Sequence, residues 1–405
     1  MTVFKDAFFQ SQWLRAVAHG SHGAAEIGEC LAAALRIKEP SLDSWFVSWN
    51  ELALSVLKQA ELCETQGHRV SALGCYLRAS NYFRAAYSIL IGTKSEDRRL
   101  AQAHRQHKDA FGKAVRLMRN PTAEHVLIPY EDKKNIHGYF FHATASDSAG
   151  PCPTLIVNGG YDSTAEEAYL FSGAAAVARG YNCVVFDGPG QGTALIEDGL
   201  VFRADWENVV RYVVDFCVSR HEVDPNRVAL MGVSFGGYLA PRAASGEPRL
   251  AALIADPGEY SLAEEFKTRL PKFIANQLPH GNPYVLGLLG FILNRKARHP
   301  TSGWTLRRGL WVHGVQTPLE YLQLIESYTL EGRVDKIQCP TLICQAENDH
   351  VGISAPKLFD RLENCKNKKF EFFPISQGTG EHCETGGRAV FNQRALDWLD
   401  NVMKQ

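Results

Sequence analysis

Three residues, far apart in the chain, have the types and settings that nucleophilic acyl chemistry requires. Ser234 sits in "MGVSFGG", where Gly232, Ser234 and Gly236 fit the pattern G-x-S-x-G. The preceding "RVALMG" reads as a short buried strand, and the following "FGGYLAPRAAS" as the start of a helix. Small neighbours at such a junction allow a tight turn that lifts a serine hydroxyl to the top of a sheet, beside the positive end of the helix dipole. The pattern is short, and a serine that merely caps a helix also satisfies it; the separate strand and helix signals favour the nucleophile. A serine hydroxyl is a weak nucleophile near neutral pH, so it needs a base, and the base needs an orienting partner. In a strand–turn–helix setting the chain order is serine, acid, histidine. Asp349 follows the apolar run "TLICQA", and His382 lies in "QGTGEHCETGG" after the last apolar run. The expected roles are Ser234 as nucleophile, His382 as general base and then acid, and Asp349 as the group that orients the imidazole.

Rivals stand beside each of the three. Glu347 is an alternative acid two residues before Asp349, and His350 directly follows it. His142 lies on an early strand and is expected to be structural. Glu381 and Cys383 flank His382, and Cys383 is expected to serve packing. A tetrahedral oxyanion needs two donors. One is expected from the backbone N–H of Phe235, the other from Tyr161 or Gly160 after "TLIVNGG". The two glycines also suit a plain turn. "DGPGQG" at 187–192 has neither dinucleotide nor P-loop spacing, so it is read as a shaped loop at the pocket edge, with Asp187 a candidate substrate contact. His104 and His107 share a helix face with no acidic partner pattern and are expected to face solvent, not a metal. No cofactor is expected. Pro241 falls about two turns into the helix after Ser234, so that helix is expected to kink or to start late.

The elements that must position these residues follow from periodicity. To about residue 122 the chain reads as helical, with apolar and alanine residues at three- and four-residue spacing in "SWNELALSVLKQAELCETQGHRVSALGCYLRASNYFRAAYSIL". Gly67 in "TQGH" divides this into two helices, and a third is expected from about Glu96 to Met118. From about residue 124, "EHVLIPYE" and "IHGYFFHA" look like a strand hairpin. Six apolar runs then alternate with helix-length segments: "PTLIVNGG", "YNCVVFDGPG", "RVALMGVS", "LAALIADPG", "CPTLICQAEND" and "KKFEFFPIS". That alternation implies an α/β fold whose mainly parallel sheet is covered on both faces, with chemistry at the carboxyl edge. The rhythm stops across 258–333, read as a helical cap insertion that includes "YVLGLLGFIL", a buried core helix or a cap wall. The expected organisation is a helical N-terminal domain, 1–123, and a catalytic domain, 124–405.

Bulk properties exclude several classes. The chain has 405 residues, 45% hydrophobic and 21% charged, an ordinary globular balance with material for a large core. A net charge of -1 without a long basic block argues against nucleic acid or a membrane as a main partner. Ten cysteines without paired spacing are not a secreted disulfide framework. No secretory leader is read at the start, and the longest apolar stretch is well short of the ~20 residues that span a bilayer. A cytoplasmic protein acting on a small molecule is expected.

Together the motifs resemble the α/β-hydrolase superfamily, an eight-stranded, mostly parallel sheet. The resemblance is closest to the branch with a helical N-terminal segment that includes 2,6-dihydroxypseudooxynicotine hydrolase and the fungal Fus2-like polyketide-pathway hydrolases. It rests on "RASNYFRAA", "NGGYDS", "DGPGQG", "MGVSFGGYLAPRAA", "EPRLAALIADPG", "AEND" and "GEHCETGG", and spans roughly residues 45 to 400. It implies a homodimer and a cap closing over Ser234, with a pocket for a bulky, partly apolar, aromatic or polyketide-like molecule. Tyr161, Phe235, Tyr238 and Tyr260 are candidate wall residues by position. Ester or lactone hydrolysis and carbon–carbon bond hydrolysis use the same triad, so both stay open. An acyltransferase or cyclase, and a binding module that has kept the scaffold, are the alternatives.

Overall fold

A computed structural model describes residues 2–92, 97–144 and 150–404. The apolar runs form strands β3 (Cys152–Asn158), β4 (Asn182–Asp187), β5 (Val223–Val233), β6 (Ala252–Asp256), β7 (Thr341–Ala346) and β8 (Lys368–Phe373). The two earlier runs form β1 (Ala123–Tyr130) and β2 (Lys134–Phe141). Every residue of β4 and β6 is buried, as a strand covered on both faces requires. The eight strands make one sheet in the order β1-β2-β4-β3-β5-β6-β7-β8. β2 runs antiparallel to β4, and the pairs from β4 through β8 are parallel. After β3 the chain moves one way to β4, and after β5 the other way to β6. The loops leaving β3 and β5 therefore diverge, which opens a crevice at their carboxyl ends.

By packing, the chain divides into two compact units: Met1–His125 with Arg295–Trp311, and Val126–Asn294 with Val312–Gln405. In the first, helices Leu42–Thr65 and Arg69–Ser88 form a hairpin, with Gly67 in the left-handed region at the break. Residues 295–311 join this unit through Trp304, whose ring lies 4.8 Å from that of Phe8, and through Thr301, which donates to Asp6 at 2.9 Å. The third long helix is Arg98–Leu117, capped by the Asp97 side chain; its expected start at Glu96 lies outside the described residues.

That helix corrects one expectation. His104 and His107 do not face solvent; both are buried. They continue the apolar stripe of Leu100, Ala103, Ala110 and Phe111, at helical spacing. His107 Nδ1 lies 2.8 Å from Ser80 Oγ, and the His104 ring packs edge-on against Tyr87. The neighbouring helix supplies the partners that make these polar rings acceptable inside, and periodicity on one helix cannot reveal that.

The 258–333 stretch is therefore divided: 258–294 and 312–333 belong to the second unit, with helices Leu262–Thr268 and Pro318–Leu324, and helix Pro283–Ala297 runs up to and across the division at Arg295. Only one side of Pro283–Ala297 is buried, through Leu286, Leu289 and Leu293; Tyr284, Leu288, Phe291 and Ile292 are exposed. The helix after Ser234 is Gly236–Ala244, with Pro241 inside it and no late start. Proline cannot donate to the carbonyl four residues back, and here that carbonyl, on Gly237, accepts the Glu259 N–H at 3.2 Å. Among the described residues no helix is long and apolar enough to cross a membrane.

Candidate active site

Ser234 occupies the turn between β5 and helix Gly236–Ala244 at φ 61°, a left-handed conformation that costs a non-glycine residue ~1 kcal/mol or more. Two backbone bonds hold it there. The Ser234 N–H donates to the Asp256 carbonyl at the end of β6 at 2.7 Å, and the Gly237 N–H donates to the Ser234 carbonyl at 2.7 Å. The turn is so tight that a Cβ on Gly232 would run into the Gly236 carbonyl. The first glycine of the motif is thus demanded by contact.

The hydroxyl raised by this turn meets His382. Ser234 Oγ lies 2.9 Å from His382 Nε2, and His382 Nδ1 lies 2.7 Å from Asp349 Oδ2. The Asp349 side chain is 1% exposed, whereas that of His382 is 41% exposed, so the imidazole keeps an open flank. Burial alone would raise the Asp349 carboxyl. The neighbouring imidazole and hydrogen bonds from His382, the Val351 N–H and the Cys383 N–H outweigh it and hold the group below its ordinary value. Asp349 therefore stays ionised opposite the ring. The loops bearing the two residues are tied by the Asn348 N–H, which donates to the Gly380 carbonyl at 2.8 Å.

The rivals are placed elsewhere. The Glu347 carboxylate accepts the Ile375 N–H at 2.7 Å. His350 is exposed and offers its carbonyl to Arg269. His142 lies 3.9 Å from Glu222, at the opposite edge of the sheet. Glu381 accepts from the Asn348 amide at 3.4 Å. Cys383 Sγ sits 3.5 Å from His382 Nε2, but burial, then Asp256 and Asp349, push its thiol well above the ordinary range, so it is a poor nucleophile.

The candidate oxyanion residues flank Ser234. A Cβ built on Gly160 would lie 2.8 Å from the Phe235 N and 3.0 Å from Ser234 Oγ, so only glycine lets the β3 loop approach this closely. The rings of Tyr161 and Phe235 stack at 4.3 Å, and that of Tyr238 stacks on Phe235 at 5.6 Å. Tyr260 has different neighbours: its hydroxyl donates to Glu331 at 3.4 Å, and the Lys357 ammonium sits over its ring. Asp187 is buried, and its two oxygens accept the Ala165 and Thr193 N–H groups at 2.7 and 2.8 Å, bracing its loop from within.

Three features escaped the sequence reading. His313 joins three tyrosines, with Nε2 2.9 Å from the Tyr161 hydroxyl and Nδ1 3.0 Å from that of Tyr328, while the Tyr161 and Tyr321 hydroxyls lie 3.2 Å apart. Behind His382, Arg388 donates to the Asp256 carboxylate, to Glu384 at 3.1 Å and to the Cys383 carbonyl at 3.2 Å. Burial, then Asp256, push the Glu384 carboxyl far above its ordinary value. Glu265, buried against the Ser354 hydroxyl, is pushed up to about 7, chiefly by burial. No local pattern marks these residues; each depends on partners distant in sequence. Among the described residues no group of three or more His, Cys, Asp or Glu is placed to hold a metal ion.

Comparison with known proteins agrees with this architecture. A family profile described as "Alpha/beta hydrolase family" matches residues 136–366. The chain is 33% identical to "Hydrolase LUC6" of a Fusarium species, over 99% of this chain and 97% of that protein. It is 34% identical to "20-hydroxy-prefusarin hydrolase FUS2" of Gibberella moniliformis, over 99% and 97%. Among solved structures, that of 2,6-dihydroxy-pseudo-oxynicotine hydrolase superposes with a TM-score of 0.75 at 22% identity, covering 95% of each chain.

Proposed function

This chain belongs to the alpha/beta hydrolase family, and from that premise we propose that it is a serine hydrolase in which Ser234, His382 and Asp349 form the catalytic triad. The observation that carries the proposal is the unbroken chain from Ser234 Oγ through the imidazole to Asp349, at 2.9 and 2.7 Å. Ser234 Oγ attacks a substrate carbonyl carbon while its proton passes to His382 Nε2. The charge that develops on the carbonyl oxygen is stabilised by the N–H groups of Phe235 and of Tyr161 or Gly160, at the positive end of helix Gly236–Ala244. Asp349, ionised and buried, steadies the imidazolium. His382 returns the proton to the leaving oxygen, or to a leaving carbon stabilised as an enolate or electron-rich ring. Water then attacks the acyl-serine, giving its proton to His382, and the acid departs as Ser234 regains its proton.

The substrate we propose is a bulky, partly apolar small molecule of polyketide or aromatic character with an ester, lactone or activated ketone carbon. The stacked rings of Tyr161, Phe235 and Tyr238 support an aromatic wall beside the nucleophile. The fungal relatives named as hydrolases, one of them for 20-hydroxy-prefusarin, support the class. The test is fluorophosphonate labelling read by intact mass and peptide mapping, followed by product analysis on esters, lactones and β-diketones. One adduct on Ser234, lost in His382→Ala, is expected, together with products that have gained water. An unlabelled, folded wild type overturns the nucleophile assignment. A transferred or ring-closed product in place of a hydrolysed one replaces hydrolysis with transfer or cyclisation.

A further inference from the structure

Gln191, in the "DGPGQG" loop, is buried, and each of its polar atoms is engaged. Its Nε2 donates to the carbonyls of Gly159 and Gly160, at 2.7 and 3.0 Å, using both amide hydrogens. Its Oε1 accepts the Gly188 N–H at 3.1 Å, which fixes the end of the amide that faces those carbonyls. The Asn158 side chain adds a second donor to the Gly159 carbonyl at 2.8 Å. In a trans peptide the carbonyl and the following N–H point in opposite directions. Drawing the carbonyls of residues 159 and 160 toward Gln191 therefore turns the N–H groups of Gly160 and Tyr161 the other way. Gly160 itself approaches Ser234 Oγ and the Phe235 N so closely that a Cβ would not fit.

We propose that Gln191 is the positioning residue of the oxyanion hole: by gripping the two carbonyls of the β3 loop, it aims the loop's N–H donors at the oxygen of the tetrahedral intermediate. The inference rests on the nucleophile role of Ser234 and adds to it a residue that touches neither substrate nor triad. Without Gln191 the Gly160 carbonyl loses its side-chain donor and the Gly159 carbonyl keeps only Asn158, so the loop's N–H donor is in place only part of the time. Preorganised donors of this kind change rate more than affinity, and losing one costs about 10²- to 10³-fold in the chemical step.

The test measures fluorophosphonate labelling of wild type, Gln191→Met and Gln191→Glu, separating the maximal labelling rate from the half-saturating probe concentration. Methionine keeps the length without donors. Labelling needs the same stabilised oxyanion, so its maximal rate should fall about 10²-fold in Gln191→Met, with half-saturation nearly unchanged. The glutamate variant supplies a readout that a purely structural role does not move. Its carboxylate repels the carbonyls, whereas the protonated acid donates to one of them. Its rate relative to wild type should therefore rise as pH falls. This variant keeps the assignment testable if Gln191→Met fails to fold. A folded variant that labels at the wild-type rate, or a Gln191→Glu ratio flat with pH, overturns the assignment while leaving Ser234 as nucleophile. A folded wild type that is not labelled at Ser234 overturns both.

Discussion

The two halves of the site are built by opposite means. Ser234 is held by its own neighbourhood in sequence: a strand, a forced left-handed turn, glycines that contact leaves no alternative to, and a helix. His382 and Asp349 ride on two loops after different strands, and the His382 loop is held from behind by a buried charge cluster. Asp256 joins the halves. Its carbonyl takes the Ser234 N–H, and its carboxylate takes Arg388, which also grips the backbone of the turn bearing His382. The elbow is thus secured by shape and the acid–base side by electrostatics, and substitutions on the two sides should fail differently.

The largest expected effect is on chemistry at the elbow. Ser234→Ala removes one oxygen and leaves the turn intact, so turnover should fall at least ~10⁴-fold, about 5.5 kcal/mol of barrier, with an unchanged unfolding midpoint. Asp349→Asn should lose somewhat less, about 10³- to 10⁴-fold, because the imidazole loses its orienting charge. Steady-state kinetics paired with urea unfolding checks both. Full activity in Ser234→Ala would leave the elbow with no chemical role.

Next comes the charge cluster. Arg388→Met leaves Asp256 and Glu384 buried without their cation and should cost about 3–5 kcal/mol of stability. That is the reverse of Ser234→Ala: large in stability first, and in activity only through a displaced His382. Urea unfolding measures it. A loss below ~1 kcal/mol would mean that the cluster does not hold the His382 side by electrostatics.

Glu265 sharpens the contrast on the acid side. It meets Ser354, just beyond Asp349 in the chain, and the Asp349 charge helps to raise it. Its folded value of about 7 lies above the unfolded value of 4.5. The neutral form is the one the fold favours, so its contribution is full below pH 4.5 and is lost as pH rises to about 7. The shift corresponds to about 3 kcal/mol. Glu265→Gln should therefore gain stability relative to wild type by roughly that amount between pH 4.5 and 7.5, followed by urea unfolding at several pH values. A difference that stays constant with pH would place the titration elsewhere.

The same contrast explains what could be read from the sequence. The elbow is local, so six apolar runs, a motif and the order serine, acid, histidine pointed to Ser234, Asp349 and His382 as candidates. The structure brings those three within hydrogen-bond reach, and the strands that carry them form one sheet in the crossover order an α/β chain favours. Whatever depends on partners in three dimensions was illegible. His104 and His107 look like surface residues until Ser80 and Tyr87 are placed beside them. Arg388 is one arginine in a terminal helix until Asp256 and Glu384 surround it. Residues 295–311 pack with the first unit through Phe8 and Asp6, contacts that no periodicity within the segment encodes.

Pro241 shows a local rule answered by a distant partner, and its expected effect is the smallest. Proline inside a helix ordinarily costs ~3 kcal/mol relative to alanine, through a lost bond and a crowded carbonyl. Here the orphaned Gly237 carbonyl already accepts the Glu259 N–H from the chain just beyond β6, so Pro241 frees an acceptor that this passing segment uses. Pro241→Ala would add a second donor to a satisfied carbonyl while loosening the unfolded chain, which by itself costs about 0.4–1 kcal/mol. The net change should fall within about 1 kcal/mol of zero, read from the urea midpoint. A gain near 3 kcal/mol would mean that the Glu259 bond does not compensate, and that the elbow helix carries an uncorrected strain next to Ser234.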